Sequence, residues 1–304
     1  MMGRQPVSKA MKRVLCSVPI FVVAFSLAAF PLAAQMPQAK NELKIVFIAY
    51  ENPDQLLEDV RPVVAYLEGR LRMKVKPFVA TDYAAVVEAL RNNFADIGFM
   101  GPLQYVMAHD QAGATPILGE LYNGKATYTA RIFVRKDSGI QSLAELRGKT
   151  IAFVDPLSSS GYVYPLEIFR AAGWVKNKDE AEKFFRKIYF AGGDEQAIRA
   201  VFNKFVDAAG IGQYAYSLLR PDERDAIRFI AESAPIPSHC IVARKGLDAQ
   251  TIAAVQAALL ALNQGSQRAL LKHLYNVDGY VKVTPADYAG VEQVAQAYGF
   301  LKSR

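Results

Sequence analysis

The sequence predicts an α/β protein of two lobes, each a mixed, mostly parallel sheet flanked by helices, joined by a hinge of two crossing segments. Three observations carry this expectation. Strand-like apolar runs alternate with helix-like stretches from Leu43 onwards, which argues for βαβ units. The pattern Val87–Gly98 returns as Ile198–Ala209: an amphipathic helix end, Asn, Phe, then Asp opening a short apolar run. Phe94 thus corresponds to Phe205, and Asp96 to Asp207. Finally, two extended-looking stretches, 128–135 and 227–244, stand where the chain has to leave one lobe and return.

The chain has 304 residues, 52% apolar and 21% charged, which suits a folded protein of two cores. The N-terminus reads as an export signal. Arg4, Lys9, Lys12 and Arg13 precede an acid-free apolar run, Val14–Phe30, and small residues suit a cut after Ala34. Cys16 opens that run instead of following it, so it is not placed like a lipoprotein cysteine. The four cations supply most of the formal +7, leaving a mature chain near +3. That is weak support for nucleic acid or membrane surfaces. Cys240 is then alone and forms no internal disulfide, so packing has to supply the stability. The expected division is a signal peptide at 1–34, a first lobe from 35–128 and 238–304, and a second lobe from 129–237.

Taken in order, Leu43–Tyr50 is strand-like, Glu51–Asp54 a turn, and Leu56 to Leu71 a helix pattern. Val75–Val79 is a second strand candidate. Thr81-Asp82-Tyr83 opens a helix carrying Val86, Val87 and Leu90, and Ala95–Met100 forms a third strand closed by Gly101-Pro102. Ligands in such sheets collect beyond the carboxyl ends of strands, where Tyr50, Tyr83 and Gly101 fall. Tyr128–Arg135 leaves the first lobe, and Ser142 with Glu145 makes a capping box on a short helix. Ile227–Pro237 and Ile241–Arg244 are extended, and from Ala249 the pattern is helical, interrupted at Gln264-Gly265 and Pro285. Phe184, Phe185, Phe202 and Phe205 read as core.

The stretch Thr150–Pro165 carries the chemistry. Ile151–Val154 is a short buried strand, Asp155-Pro156 stops it, and a helical pattern follows until Gly173. Ser158, Ser159 and Ser160 therefore stand where a helix begins. Unpaired backbone N–H groups and the positive dipole end suit a tetrahedral anion, and the hydroxyls add up to three rotatable donors. A serine there is also an ordinary cap, and the loop alone favours that simpler role. No catalytic signature appears: there are three histidines, no HExxH or Cys/His metal spacing, no GxSxG elbow and no dinucleotide or P-loop glycine pattern. A non-enzyme without metal or cofactor is expected.

Assembled, these residues resemble the phosphate/phosphite/phosphonate family of substrate-binding proteins of ABC importers. The similarity runs from Leu43 into the C-terminal region. It rests on Thr81-Asp-Tyr83, Ala95-Asp-Ile-Gly98 with Gly101-Pro102, Tyr128-Thr-Ala-Arg-Ile-Phe-Val134, Asp155-Pro-Leu-Ser-Ser-Ser-Gly161, Ala191-Gly-Gly-Asp-Glu195 and Pro235-Ile-Pro-Ser-His239. The resemblance implies a type II periplasmic-binding fold closing on its ligand. It implies phosphonyl oxygens held by Ser158, Ser159, Ser160 and Gly161 and by the phenols of Tyr83 and Tyr128. The positions matching the family's amine-binding carboxylates are Tyr214 and His239, neither of them acidic, and a frequent family His is replaced by Asp194. His239 reads equally as a ligand contact or a satisfied buried histidine, and Asp194 as a helix cap.

The expected function is a monomeric periplasmic receptor that takes a phosphite, phosphate or alkyl phosphonate and presents it to a membrane permease. The alternatives are a receptor for another oxyanion or small polar solute, or the binding subunit of a sensory system. With no carboxylate placed at the organic end, aminoethylphosphonate is expected to bind less tightly than phosphite, phosphate or methylphosphonate.

Overall fold

In the computed structural model the described residues are 42–48 and 53–301, so the expected leader, Cys16 and Tyr50 lie outside them. The first block is β1 (Glu42–Ile48), α1 (Pro53–Leu71), β2 (Lys74–Ala80), α2 (Tyr83–Arg91) and β3 (Ile97–Met100). β1 pairs in parallel with both β2 and β3, as the strand–helix spacing requires. Asp82 caps α2, accepting the Ala85 N–H at 2.8 Å, which fixes Tyr83 as the first helical residue. α3 (Pro102–Ala112) starts directly at the end of β3, with Gly101 at its cap and Pro102 in its first turn. β4 (Thr115–Leu121) follows.

The chain then leaves through β5 (Thr127–Tyr128) into β6 (Ala130–Arg135). A 3₁₀ turn holds the expected capping pair, but Glu145 accepts from the Gln141 N–H, one residue earlier than the motif predicts. The second lobe continues as β7 (Thr150–Phe153), α4 (Tyr164–Ala171), α5 (Lys178–Phe184), β8 (Lys187–Phe190), α6 (Asp194–Phe202), β9 (Ala208–Gly212), α7 (Pro221–Arg224) and β10 (Ile227–Glu232). The return runs through β11 (Ile236–Pro237) to β12 (Cys240–Ala243), then α8 (Ala249–Ala261), β13 (Gly279–Lys282) and α9 (Ala289–Ala297).

The six-stranded sheet has the order β13-β4-β12-β3-β1-β2, and the five-stranded sheet the order β10-β6-β9-β7-β8. Both are mixed. The first has two parallel and three antiparallel pairings, the second two of each, so antiparallel pairing is more frequent than the spacing suggests. The excess arises where strands entering from the crossing segments insert into the sheets. Those segments form a ribbon of their own, β5 against β11, with Tyr128 opposite Ile236. Two residues per strand leave few ladder bonds to resist rotation, which suits a hinge.

The internal echo is structural. Asp96 Oδ2 accepts the Lys44 N–H at 2.9 Å, and Asp207 Oδ2 accepts the Thr150 N–H at 2.8 Å. Each acid ties down an N–H of a strand that pairs in parallel within its sheet, β1 in one and β7 in the other. Asn93 and Lys204 both take positive φ, 58° and 66°, turning the chain from helix into strand. That turn throws Phe94 and Phe205 outwards, 66% and 77% exposed, so Phe205 is not the core residue expected. Phe184 and Phe185 are buried, and Phe202 packs half-buried against the core. The C-terminal region is likewise not all helical. β13 pairs antiparallel with β4, pinned by Asn263, which accepts the Tyr280 N–H and donates to its carbonyl, each at 2.8 Å.

Candidate functional site

Val154 follows β7, and its N–H donates to the Gly161 carbonyl, folding the serine loop back on the strand. Asp155 makes the turn, accepting the Leu157 N–H at 2.7 Å. Ser159–Val163 then forms one π turn before α4 begins at Tyr164. Pro165 contributes to the irregularity, because it lacks the N–H a regular first turn would use. A Cβ on Gly161 would lie 2.4 Å from Val154, so only glycine permits this fold-back. Gly161 is not among the residues lining the cavity beside the loop; the structure gives it this packing role and a bond from its N–H to the Ser158 hydroxyl at 3.0 Å.

That cavity, about 500 Å³, lies between the two sheets and gathers the other seven expected residues: Ser158, Ser159, Ser160, Tyr83, Tyr128, Tyr214 and His239. The serines take different partners. Ser158 is the cap, so the simpler reading of the loop holds for one serine of three. With its oxygen facing Gly161 N–H, it is hydrogen-bonded to the phenol of Tyr83. Ser159 Oγ accepts the N–H of Leu103 at 2.9 Å, from the first turn of α3 in the other lobe. Ser160 is hydrogen-bonded to Tyr128. In each Ser–Tyr pair one proton is spent on the mutual bond and the other is left to offer at the cavity, while Ser159, an acceptor from Leu103, keeps its own.

Burial pushes both phenols up, Tyr83 and Tyr128 alike, and the carboxylate of Asp194 adds to the effect. Both are therefore neutral donors at physiological pH. Asp194 itself lines the cavity but is not the helix cap expected of it. Gly193 holds the cap position without a side-chain bond, and Asp194 stands in the first turn of α6, favourable to the dipole.

The far end of the cavity is aromatic. His239 stacks on Tyr128 at 5.2 Å between ring centres, and Tyr122 packs on Tyr214 at 5.1 Å. Burial pushes the His239 imidazole down to about 4. Behind this wall lies Glu120, buried on β4. Its carboxylate accepts from the Tyr122 hydroxyl at 2.7 Å and stands 3.9 Å from His239 Nδ1.

Sequence reasoning missed several lining residues. Gln104 donates from Nε2 to the Leu157 carbonyl at 2.6 Å, a second bond between the lobes, and its Oε1 makes no hydrogen bond among the described residues. Gln55, Asp59, Lys272 and His273 also line the cavity. The signal for Gln104 was its place just after Gly101-Pro102, at a strand's carboxyl end. The signal for Glu120 was a lone acid inside the apolar run Pro116–Leu121.

Four similarities accompany this geometry. The profile of a family described as ABC transporter, phosphonate, periplasmic substrate-binding protein matches residues 45–288. The chain is 30% identical over 240 residues to the phosphonates-binding periplasmic protein of Escherichia coli K12, covering 76% of this chain and 69% of that one. It is 32% identical over 171 residues to the phosphate-import protein PhnD of Mycolicibacterium smegmatis, covering 55% and 53%. Among solved structures, PhnD1 from Prochlorococcus marinus in complex with methylphosphonate superposes with a TM-score of 0.74, over 84% of this chain and 97% of that one. Its 20% identity makes this a likeness of fold.

Proposed function

The chain belongs to the phosphonate family of periplasmic substrate-binding proteins of ABC transporters, and from that premise we propose that it captures a small phosphorus oxyanion in the interlobe cavity. Phosphite, phosphate and short alkyl phosphonates are the ligands of choice. The observation that carries the reading is the convergence of Ser158, Ser159, Ser160, Tyr83 and Tyr128 on one cavity, drawn from both lobes and the hinge. Five neutral hydroxyls suit a tetrahedral oxyanion, and each bond that one of them donates to a charged acceptor is worth about 1.5–3 kcal/mol. Lys272 lines the same cavity and is exposed, placing positive charge where it attracts an incoming anion.

The family is extracytoplasmic, and export by the N-terminal segment 1–34 with release as a monomer completes the proposal. The proposed lobe divisions, 128/129 and 237/238, each follow the last residue of a strand of the β5–β11 ribbon. Bond-making by the protein has no place in this reading: the donors bind, the hinge closes, and a membrane permease receives the ligand. A thermal-shift screen of phosphite, phosphate, methylphosphonate, aminoethylphosphonate, sulfate and selenate tests it. Stabilisation by at least one of the first three, exceeding that by sulfate and selenate, is expected. A shift with sulfate alone, or with none, overturns it.

A further inference from the structure

Three acidic side chains are buried among the described residues, and two of them face arginine. Asp96 pairs with Arg244 at 2.9 Å, and Glu223 with Arg220 at 3.1 Å and Arg199 at 3.4 Å. Glu120 differs: its one ion-pair geometry among the described residues is with His239 Nδ1, at 3.9 Å, alongside its bond from Tyr122. An unneutralised carboxylate buried beside an anion site is costly, and a histidine on the cavity wall is a group that can exchange a proton with it.

We propose that Glu120 is the positioning residue for His239: the pair holds one proton on the Glu120 carboxyl in the ligand-free protein, and arrival of the oxyanion moves that proton to His239 Nδ1. As the ligand binds, the 3.9 Å gap shortens to hydrogen-bond length, the O–H bond at Glu120 breaks, an N–H bond forms at His239, and the net charge of the pair does not change. The bound anion then meets an imidazolium backed by a carboxylate, which Tyr122 continues to stabilise. This rests on the oxyanion reading of the cavity.

The groups packed around Glu120 itself hold their protons. Facing Glu120 are Tyr122 from beside β4, Tyr275 and Tyr280 from the β13 side, Tyr288 from the turn after β13, Cys240 from β12 and Tyr128 from the hinge. Burial pushes all of these up, so they stay protonated at neutral pH. Asp194, Asp59, Lys272 and His273 border the same cavity. For the pair itself, burial pushes the carboxyl up to about 7 and the imidazole down to about 4, so both are neutral between those values. Above about 7 the free protein has lost the proton. Binding then has to take one from solvent, and affinity falls about tenfold per pH unit through this step.

The test is calorimetric titration with methylphosphonate at pH 6 and pH 8.5, in buffers of different ionisation heat, on wild type, Glu120→Gln and His239→Asn. The ligand's own titration is common to all three and cancels in the differences. At pH 8.5 wild type takes up about one proton more than either variant, and at pH 6 the counts are equal. Glu120→Gln also binds about tenfold or more weakly at pH 6. Carboxyl NMR of the ligand-free protein reads the starting state directly: Glu120 titrates near 7. Equal proton counts at both pH values with binding retained, or a Glu120 titrating near 4, overturns the proposal and leaves the oxyanion reading standing. Should wild type bind methylphosphonate, phosphite and phosphate not at all, the oxyanion reading falls and takes this proposal with it. If Glu120→Gln does not fold, His239→Asn alone decides the proton count.

Discussion

Ser158 and Ser159 are adjacent, yet their replacement by alanine is expected to be read out in different experiments. Ser159 Oγ accepts the Leu103 N–H across the cleft, and Leu103 is only 1% exposed. Ser159→Ala leaves that N–H buried and unpaired when the lobes are together, a cost of about 1–3 kcal/mol. The cost disappears when the lobes part and water reaches the group. The substitution therefore shifts the closure equilibrium, and affinity falls roughly 5- to 150-fold. Ser158 bonds instead within its own loop, at 3.0 Å to Gly161 N–H. Ser158→Ala removes a cap worth about 0.5–2 kcal/mol, and a domain of this size loses about 2–4 °C per kcal/mol. Calorimetry with the best oxyanion and melting of the ligand-free proteins separate the two. Ser159→Ala binding like wild type would refute the argument that this hydroxyl spans the closed cleft.

Four further outcomes are expected. Saturating ligand lowers the radius of gyration in small-angle scattering, because both lobes supply contacts; an unchanged radius speaks against hinge closure. Gly161→Ala places a methyl 2.4 Å from Val154 and costs about 1–3 kcal/mol of stability in chemical denaturation, with no gain in affinity. The pH dependence of stability follows the buried pair. Glu120 is raised to about 7, so its contribution is full below its unfolded value and is lost as pH rises to about 7, about 3 kcal/mol in all. Glu120→Gln therefore gains on wild type between pH 5 and pH 8 in denaturant titrations. His239 is lowered to about 4, so its contribution is present above its unfolded value and is lost as pH falls through about 4. His239→Asn is accordingly less sensitive to acid. Finally, Asp194→Asn removes a carboxylate from the cavity wall and tightens binding of dianionic ligands, measured as a lower Kd at pH 8.

Much of this site was legible because local chemistry placed it. Asp82 as a cap fixes Tyr83 at a helix start, and Asp155-Pro156 ends a strand just before three serines, wherever the rest of the chain goes. Tyr128 and His239 were legible as residues of the crossing segments. What stayed hidden depends on pairing across long separations. Glu120 looks like one acid in an apolar run until β4 is set between β12 and β13, more than a hundred residues away. Leu103 and Gln104 reach the serine loop only when two lobes meet, and no periodicity encodes that. Phe205 misled because an apolar residue at a helix end reads as core, while the positive φ at Lys204 turns it to solvent. Asp194 misled in the opposite way: an acid at a helix start looks like a cap, although Gly193 already occupies that place.

The central claim is that the hydroxyl-lined cavity between the lobes holds a phosphorus oxyanion. Crystals grown with methylphosphonate test it most directly. The account predicts phosphonyl oxygens within about 2.5–3.0 Å of the hydroxyls of Ser159, Ser160, Tyr83 and Tyr128. A ligand held only at the mouth, against Lys272 and away from the serine loop, contradicts it.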